Sequence, residues 1–138
     1  MRLQGKSALV TGAARGIGAA FARAYVAEGA TVAIGDIDLA RAEATAADIG
    51  PAAYAVRLDV TDQASIDSGM AAVVARAGGL DILINGAAVF DAAPIVEITR
   101  ESYDRLYRIN VAGTLFTLQA AARQMIAQGR GAPPATPC

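Results

Sequence analysis

The sequence predicts an α/β fold built on a parallel sheet, and two observations carry that expectation. Short, nearly continuous apolar runs alternate with alanine-rich stretches of helical periodicity, and glycines close those stretches before the next apolar run begins. A strand covered on both faces by crossover helices reads as such a run, because neither side of it meets water.

Taken in order, the candidate strands are "KSALVT" (6–11), "TVAIGD" (31–36), "AYAVRLDV" (53–60) and "DILIN" (81–85). Between them, residues 16–28 and 39–49 read as helices closed by Gly29 and by Gly50-Pro51. A third helix follows an N-cap at Thr61 or Asp62. It sets Ile66, Met70, Val73, Val74 and Ala77 at helical spacing and stops at Gly78-Gly79. The order is therefore βαβαβαβ, which calls for a parallel sheet. After the fourth strand a loop runs through Pro94 into a long helix, from about Tyr103 to Gln128, apolar on most of its surface. A helix of that kind expects to be covered.

Composition narrows the function classes. With 138 residues, 54% of them apolar, the chain makes about one domain with a real core. Twelve basic residues stand against thirteen acidic ones, so no electrostatic footprint points to nucleic acid or an anionic membrane. A small-molecule partner fits better. The apolar run near the N-terminus is too short for a secretory signal, and none approaches the ~18 residues that span a bilayer, so a cytoplasmic protein is expected. The single cysteine, Cys138, cannot form an intrachain disulfide. No histidine is present, which removes Ser-His-Asp and Cys-His nucleophilic sites together with His-based zinc sites, and no metal site is expected.

The stretch "LVTGAARGIG" (9–18) places Gly12, Gly16 and Gly18 where a strand turns into a helix. Backbone N–H groups and the positive helix end then face whatever lies above the sheet, and glycines let a pyrophosphate approach without meeting a Cβ. The competing reading is a plain tight turn. Asp36 ends the second strand eighteen residues beyond Gly18, where a carboxylate accepts hydrogen bonds from adenosine ribose hydroxyls and repels a 2′-phosphate. That favours NAD over NADP, although Arg15 in the glycine loop offers a guanidinium to a 2′-phosphate. An ordinary polar cap beside Asp38 is the alternative for Asp36. The two features together make the expected arrangement a Rossmann-type doubly wound parallel sheet.

These residues resemble the short-chain dehydrogenases/reductases: "TGAARGIG" at 11–18, Asp36, "LDV" at 58–60, "NGAA" at 85–88 and "RIN" at 108–110, over a stretch from Met1 to about Arg130. The resemblance implies that Gly12, Arg15, Gly16, Ile17 and Gly18 line the pyrophosphate of NAD, Asp36 the adenosine ribose, and Asp59 with Val60 the adenine. It also implies that Asn85, Gly86 and Ala87 pass beside the cofactor and that Asn110 is the asparagine of a catalytic tetrad. The family's usual Asn-Asn-Ala-Gly reads here with Gly86 and Ala88 at its second and fourth positions, a departure that removes one side-chain amide. Each residue also has a plainer reading: capping for Asp59, a strand-end turn for Asn85, a surface position for Asn110.

In that family a serine polarises the substrate oxygen, a tyrosine takes the alcohol proton, and a lysine four residues beyond stabilises the phenolate. A phenol with pKa near 10 is a poor base at neutral pH without such a cation. Here Tyr25, Tyr54, Tyr103 and Tyr107 are followed at that distance by Gly29, Leu58, Tyr107 and Val111, and the only lysine is Lys6. The resemblance breaks after "MIAQGRG", giving an expected dinucleotide-binding domain over 1–130, truncated after the fourth strand and following helix, and a proline-rich tail over 131–138. A truncated or frame-shifted gene would produce such a change. The stretch "DAAPIVEITRESYDRLYRINVAGTLF" (91–116) resembles the polyol dehydrogenases of that family, so the function expected is the cofactor-binding half of an NAD-dependent polyol oxidoreductase, a homo-oligomer when complete. Alternatives are a non-catalytic nucleotide-binding module and an interaction protein.

Overall fold

The computed structural model describes residues 1–129; the expected tail at 131–138 lies outside them. Four parallel strands, β1 (Ser7–Thr11), β2 (Thr31–Asp36), β3 (Ala53–Arg57) and β4 (Ile82–Ile84), lie in the order β3-β2-β1-β4. They are connected by α1 (Gly16–Ala27), α2 (Leu39–Ile49) and α3 (Gln63–Ala77), and β4 leads through a 3₁₀ turn at Ile95–Glu97 to α4 (Arg100–Tyr107) and α5 (Thr114–Ala127). The order βαβαβαβ is as the sequence predicts.

Strand geometry sorts the core into two layers. Successive side chains of a strand point to opposite faces, so Ala8 and Val10 of β1 with Val32 and Ile34 of β2 pack in one cluster with Ala22 of α1 and Ala42 and Ala46 of α2. Leu9 and Ala33, one residue out of phase, face the other way and cluster with Met70 and Val73 of α3 and Ala121 of α5. All of β1 is buried, which is why its sequence shows no polar alternation.

Several boundaries differ from the expectation. The third strand ends at Arg57, not Val60, because residues 59–62 fold into a turn: the Asp62 N–H reaches the Asp59 carbonyl at 3.2 Å and the Thr61 N–H the Asp59 carboxylate at 2.9 Å. That turn delivers Asp62, the N-cap of α3, whose side chain accepts from the Ala64 N–H. The fourth strand keeps only Ile82–Ile84. The long helix begins at Arg100, three residues early, because the Thr99 side chain caps it by accepting from the Ser102 N–H. It is also not continuous: Arg108–Gly113 form a π-helical turn between α4 and α5.

Two amide side chains of this helical segment bracket β4. Asn110 donates to the Val89 carbonyl at 2.8 Å and accepts from the Val89 N–H at 2.9 Å. Gln128 likewise accepts from the Leu80 N–H at 3.0 Å and donates to the Leu80 carbonyl. Each pair reproduces the reciprocal N–H and C=O exchange of a strand ladder, one just before the strand and one beyond it.

Candidate functional site

The strand order reverses at β1, whose neighbours β2 and β4 are reached by connections leaving in opposite directions, and a crevice opens above the carboxyl ends of the strands at such a point. Two loops line it, 12–15 after β1 and 85–90 after β4. The glycines of the first loop have separate causes. Gly12 has φ +65°, and a Cβ there would lie 2.7 Å from the Ala87 Cα. Gly18 lies on α1 where a Cβ would meet the Gly12 carbonyl oxygen at 2.6 Å, so its absence lets the helix seat against the loop. Gly16 has φ +59° and open space where its Cβ would be, which leaves the first turn of α1 approachable from outside. The N-cap, Arg15, is extended and makes no side-chain cap hydrogen bond, so no capping side chain lies over the first turn of α1. Arg15, Gly16 and Ile17 are exposed.

The loop is gripped from β2 and α2. The Ala13 N–H donates to the Gly35 carbonyl at 3.2 Å, and the Ala14 N–H donates to Asp36 Oδ2 at 3.0 Å. Asp36 Oδ1 accepts the Asp38 N–H at 3.0 Å, so the carboxylate is held across the end of β2 beside the loop. From α2, the Thr45 hydroxyl donates to the Ala14 carbonyl at 2.7 Å.

Across the crevice, Thr11 fixes the second loop. Its Oγ1, almost fully buried, accepts the Gly86 and Ala87 N–H groups at 3.0 and 3.1 Å. Gly86 comes so close to β1 that a Cβ would lie 2.5 Å from the Thr11 carbonyl oxygen. The glycine that departs from the family's usual asparagine therefore has a steric reason here. Asn85 and Gly86 are exposed at the crevice, while Ala87 is partly buried against the core.

Asp59 and Val60 lie after β3. Asp59 Oδ1 accepts both the N–H and the hydroxyl of Thr61, at 2.9 and 2.7 Å, and the hydroxyl bond above all holds the carboxyl below its ordinary pKa. The Val60 side chain is buried against Gly113 of the π turn, where a Cβ would lie 2.6 Å from Val60 Cγ2. The Val60 side chain and one carboxylate oxygen of Asp59 are therefore engaged in holding the turn. Asn110, in the same π turn, holds Val89 and so anchors the far end of the second loop, with both ends of its amide bonded as a half-buried asparagine in a helix requires.

A family model for short chain dehydrogenase matches residues 6–132. The chain belongs to that family. As a short-chain dehydrogenase it is 70% identical over 131 residues to a sorbitol dehydrogenase of Cereibacter sphaeroides, and 59% identical over 131 residues to a galactitol 2-dehydrogenase of Agrobacterium fabrum. Each match covers 95% of this chain and 51% of the relative. A crystal structure of 3-ketoacyl-(acyl-carrier-protein) reductase from Brucella melitensis complexed with NADH superposes with a TM-score of 0.86 at 34% identity, over 92% of this chain and 52% of that one. The chain thus spans about half the length of these relatives.

The geometry of this short-chain dehydrogenase suits an anionic group at the α1 N-terminus, with a carboxylate at the end of β2 at one side. Among the described residues no group of three or more His, Cys, Asp or Glu side chains is placed to hold a metal ion, and no helix is long and apolar enough to cross a membrane. Sequence reasoning missed Thr11, Thr45 and Ser65, the last of which accepts the Asp59 N–H at 2.9 Å through its hydroxyl. Their common signal is a β-branched or hydroxyl residue in an otherwise apolar or alanine-rich element, where it is a poor choice unless its oxygen has a partner.

Proposed function

We propose that this chain is the cofactor-binding half of an NAD-dependent short-chain dehydrogenase that oxidises a secondary alcohol of a polyol such as sorbitol to a ketose. The observation that carries the reading is Asp36, a carboxylate held beside an uncapped helix N-terminus and an open glycine loop. Gly12, Arg15, Gly16, Ile17 and Gly18 would receive the pyrophosphate, Asp36 the adenosine ribose, the 59–60 turn the adenine, and Asn85 to Ala87 the nicotinamide end, with Asn110 holding that second loop in place. The bound nicotinamide would supply the hydride acceptor. Sorbitol and galactitol in the relatives' names support a polyol as substrate.

A second reading is a non-catalytic nucleotide-binding module, which the same glycine loop and Asp36 would serve. Titration with NADH and NADPH, followed by absorbance at 340 nm with NAD and sorbitol, tests the nucleotide site that both readings share. We expect NADH to bind more tightly than NADPH, and no NADH formation by this chain, because the general base alone contributes about 10²–10⁴-fold. Turnover would show that the base lies elsewhere; no binding of either cofactor would overturn both readings.

A further inference from the structure

The Thr45 hydroxyl lies in the middle of α2, and in a helix such a hydroxyl commonly turns back to its own backbone four residues earlier. Here it leaves the helix and donates to the carbonyl of Ala14, 31 residues away in the glycine loop. That carbonyl belongs to the same planar peptide as the Arg15 N–H, and in a trans peptide the two bonds point in opposite directions. Drawing the carbonyl toward α2 therefore turns the Arg15 N–H away from it. The preceding peptide is fixed by Asp36, which accepts the Ala14 N–H. Ala14 is thus held on both sides, two residues before the glycine with left-handed φ that opens α1.

We propose that Thr45 is a positioning residue for phosphate recognition: it orients the Arg15 peptide toward the pyrophosphate of the dinucleotide without touching the ligand. The assignment rests on the dinucleotide reading above. Its chemical requirement is one hydroxyl donor of the right reach. Serine should replace threonine, whereas valine, of nearly the same shape, should not, because it leaves the buried Ala14 carbonyl without a donor. The effect belongs to the phosphate arm, so a ligand lacking phosphates should not register it.

The test compares the unmodified chain with Thr45→Val and Thr45→Ser, by calorimetric or fluorescence titration with NADH, ADP and adenosine, and by the ¹H–¹⁵N amide spectrum of the free chain. We expect Thr45→Val to weaken NADH and ADP about tenfold while adenosine is unchanged, Thr45→Ser to restore both, and the Arg15 and Gly16 amide signals to move in the valine variant alone. Equal NADH affinity in the unmodified chain and Thr45→Val overturns the assignment and leaves the dinucleotide reading intact. So does an equal loss for adenosine, which is the mark of general destabilisation. An unmodified chain that binds neither NADH nor ADP overturns the dinucleotide reading and this assignment with it.

Discussion

The Asp36 carboxylate accepts the Ala14 N–H at 3.0 Å, so the side chain proposed above to discriminate between cofactors also holds the backbone of the glycine loop. Charge and geometry are joined in one side chain, and they can be separated by choice of substitution.

Asp36→Asn removes the charge while keeping an acceptor for Ala14. We expect it to narrow the preference for NADH over NADPH by about tenfold, mainly by strengthening NADPH binding, since a like charge near the 2′-phosphate is lost. Asp36→Ala removes the acceptor as well and should weaken both cofactors. Parallel titrations check this; an unchanged ratio in Asp36→Asn would remove Asp36 from the selectivity argument.

Gly86→Ala places a methyl 2.5 Å from the Thr11 carbonyl oxygen, a contact between backbone and Cβ that no rotamer change relieves. A destabilisation of about 1–3 kcal/mol is expected, with a fall in Tm of several degrees. Thermal unfolding followed by circular dichroism reads it directly.

The lowered pKa of Asp59 gives a pH dependence of definite sign. Its carboxyl is held below the ordinary value of 3.8 by the Thr61 hydroxyl and N–H, so the folded state binds a proton less readily than the unfolded chain. The contribution to stability is complete above the unfolded value and is lost as pH falls through the folded one. Urea midpoints measured between neutral pH and the acid limit should decline on the acid side, and Thr61→Val, which deletes the hydroxyl donor, should make that decline shallower.

Tyr103, Tyr107, Val111, Leu115 and Leu118 are each about half exposed, at spacings of four and three along α4, the π turn and α5, with the two tyrosine rings stacked at 4.4 Å. A continuous apolar strip on this scale promotes association. Light scattering at micromolar concentration should detect self-association, and Leu115→Lys with Leu118→Lys should reduce it; a cooperative monomer in the unmodified chain would contradict the expectation.

Much of this was legible in the sequence because periodicity reports burial. The all-apolar "ALV" of β1 announced a strand covered on both faces, and the glycine loop with Asp36 announced the crevice. The third strand and the long helix were misjudged for one shared reason. Asp59 and Asn110 are polar residues whose side chains bond to the backbone, and those bonds end a strand at Arg57 and anchor a π turn in a helix that apolar spacing alone draws as continuous. Thr45 was invisible because its partner is 31 residues away, and no local pattern encodes a partner at that range.

The bracketing of β4 also bears on how the molecule opens. Three residues paired with β1 alone make a weak ladder, and an isolated edge of that length would be expected to exchange its amide hydrogens by local fraying. Tied at Leu80 to the C-terminal end of α5 and at Val89 to the π turn before it, the strand cannot leave the sheet unless that segment loosens, nor the segment lift away without releasing the strand. Strand and helix thereby become a single cooperative unit of opening, and the slow hydrogen exchange of one should track that of the other.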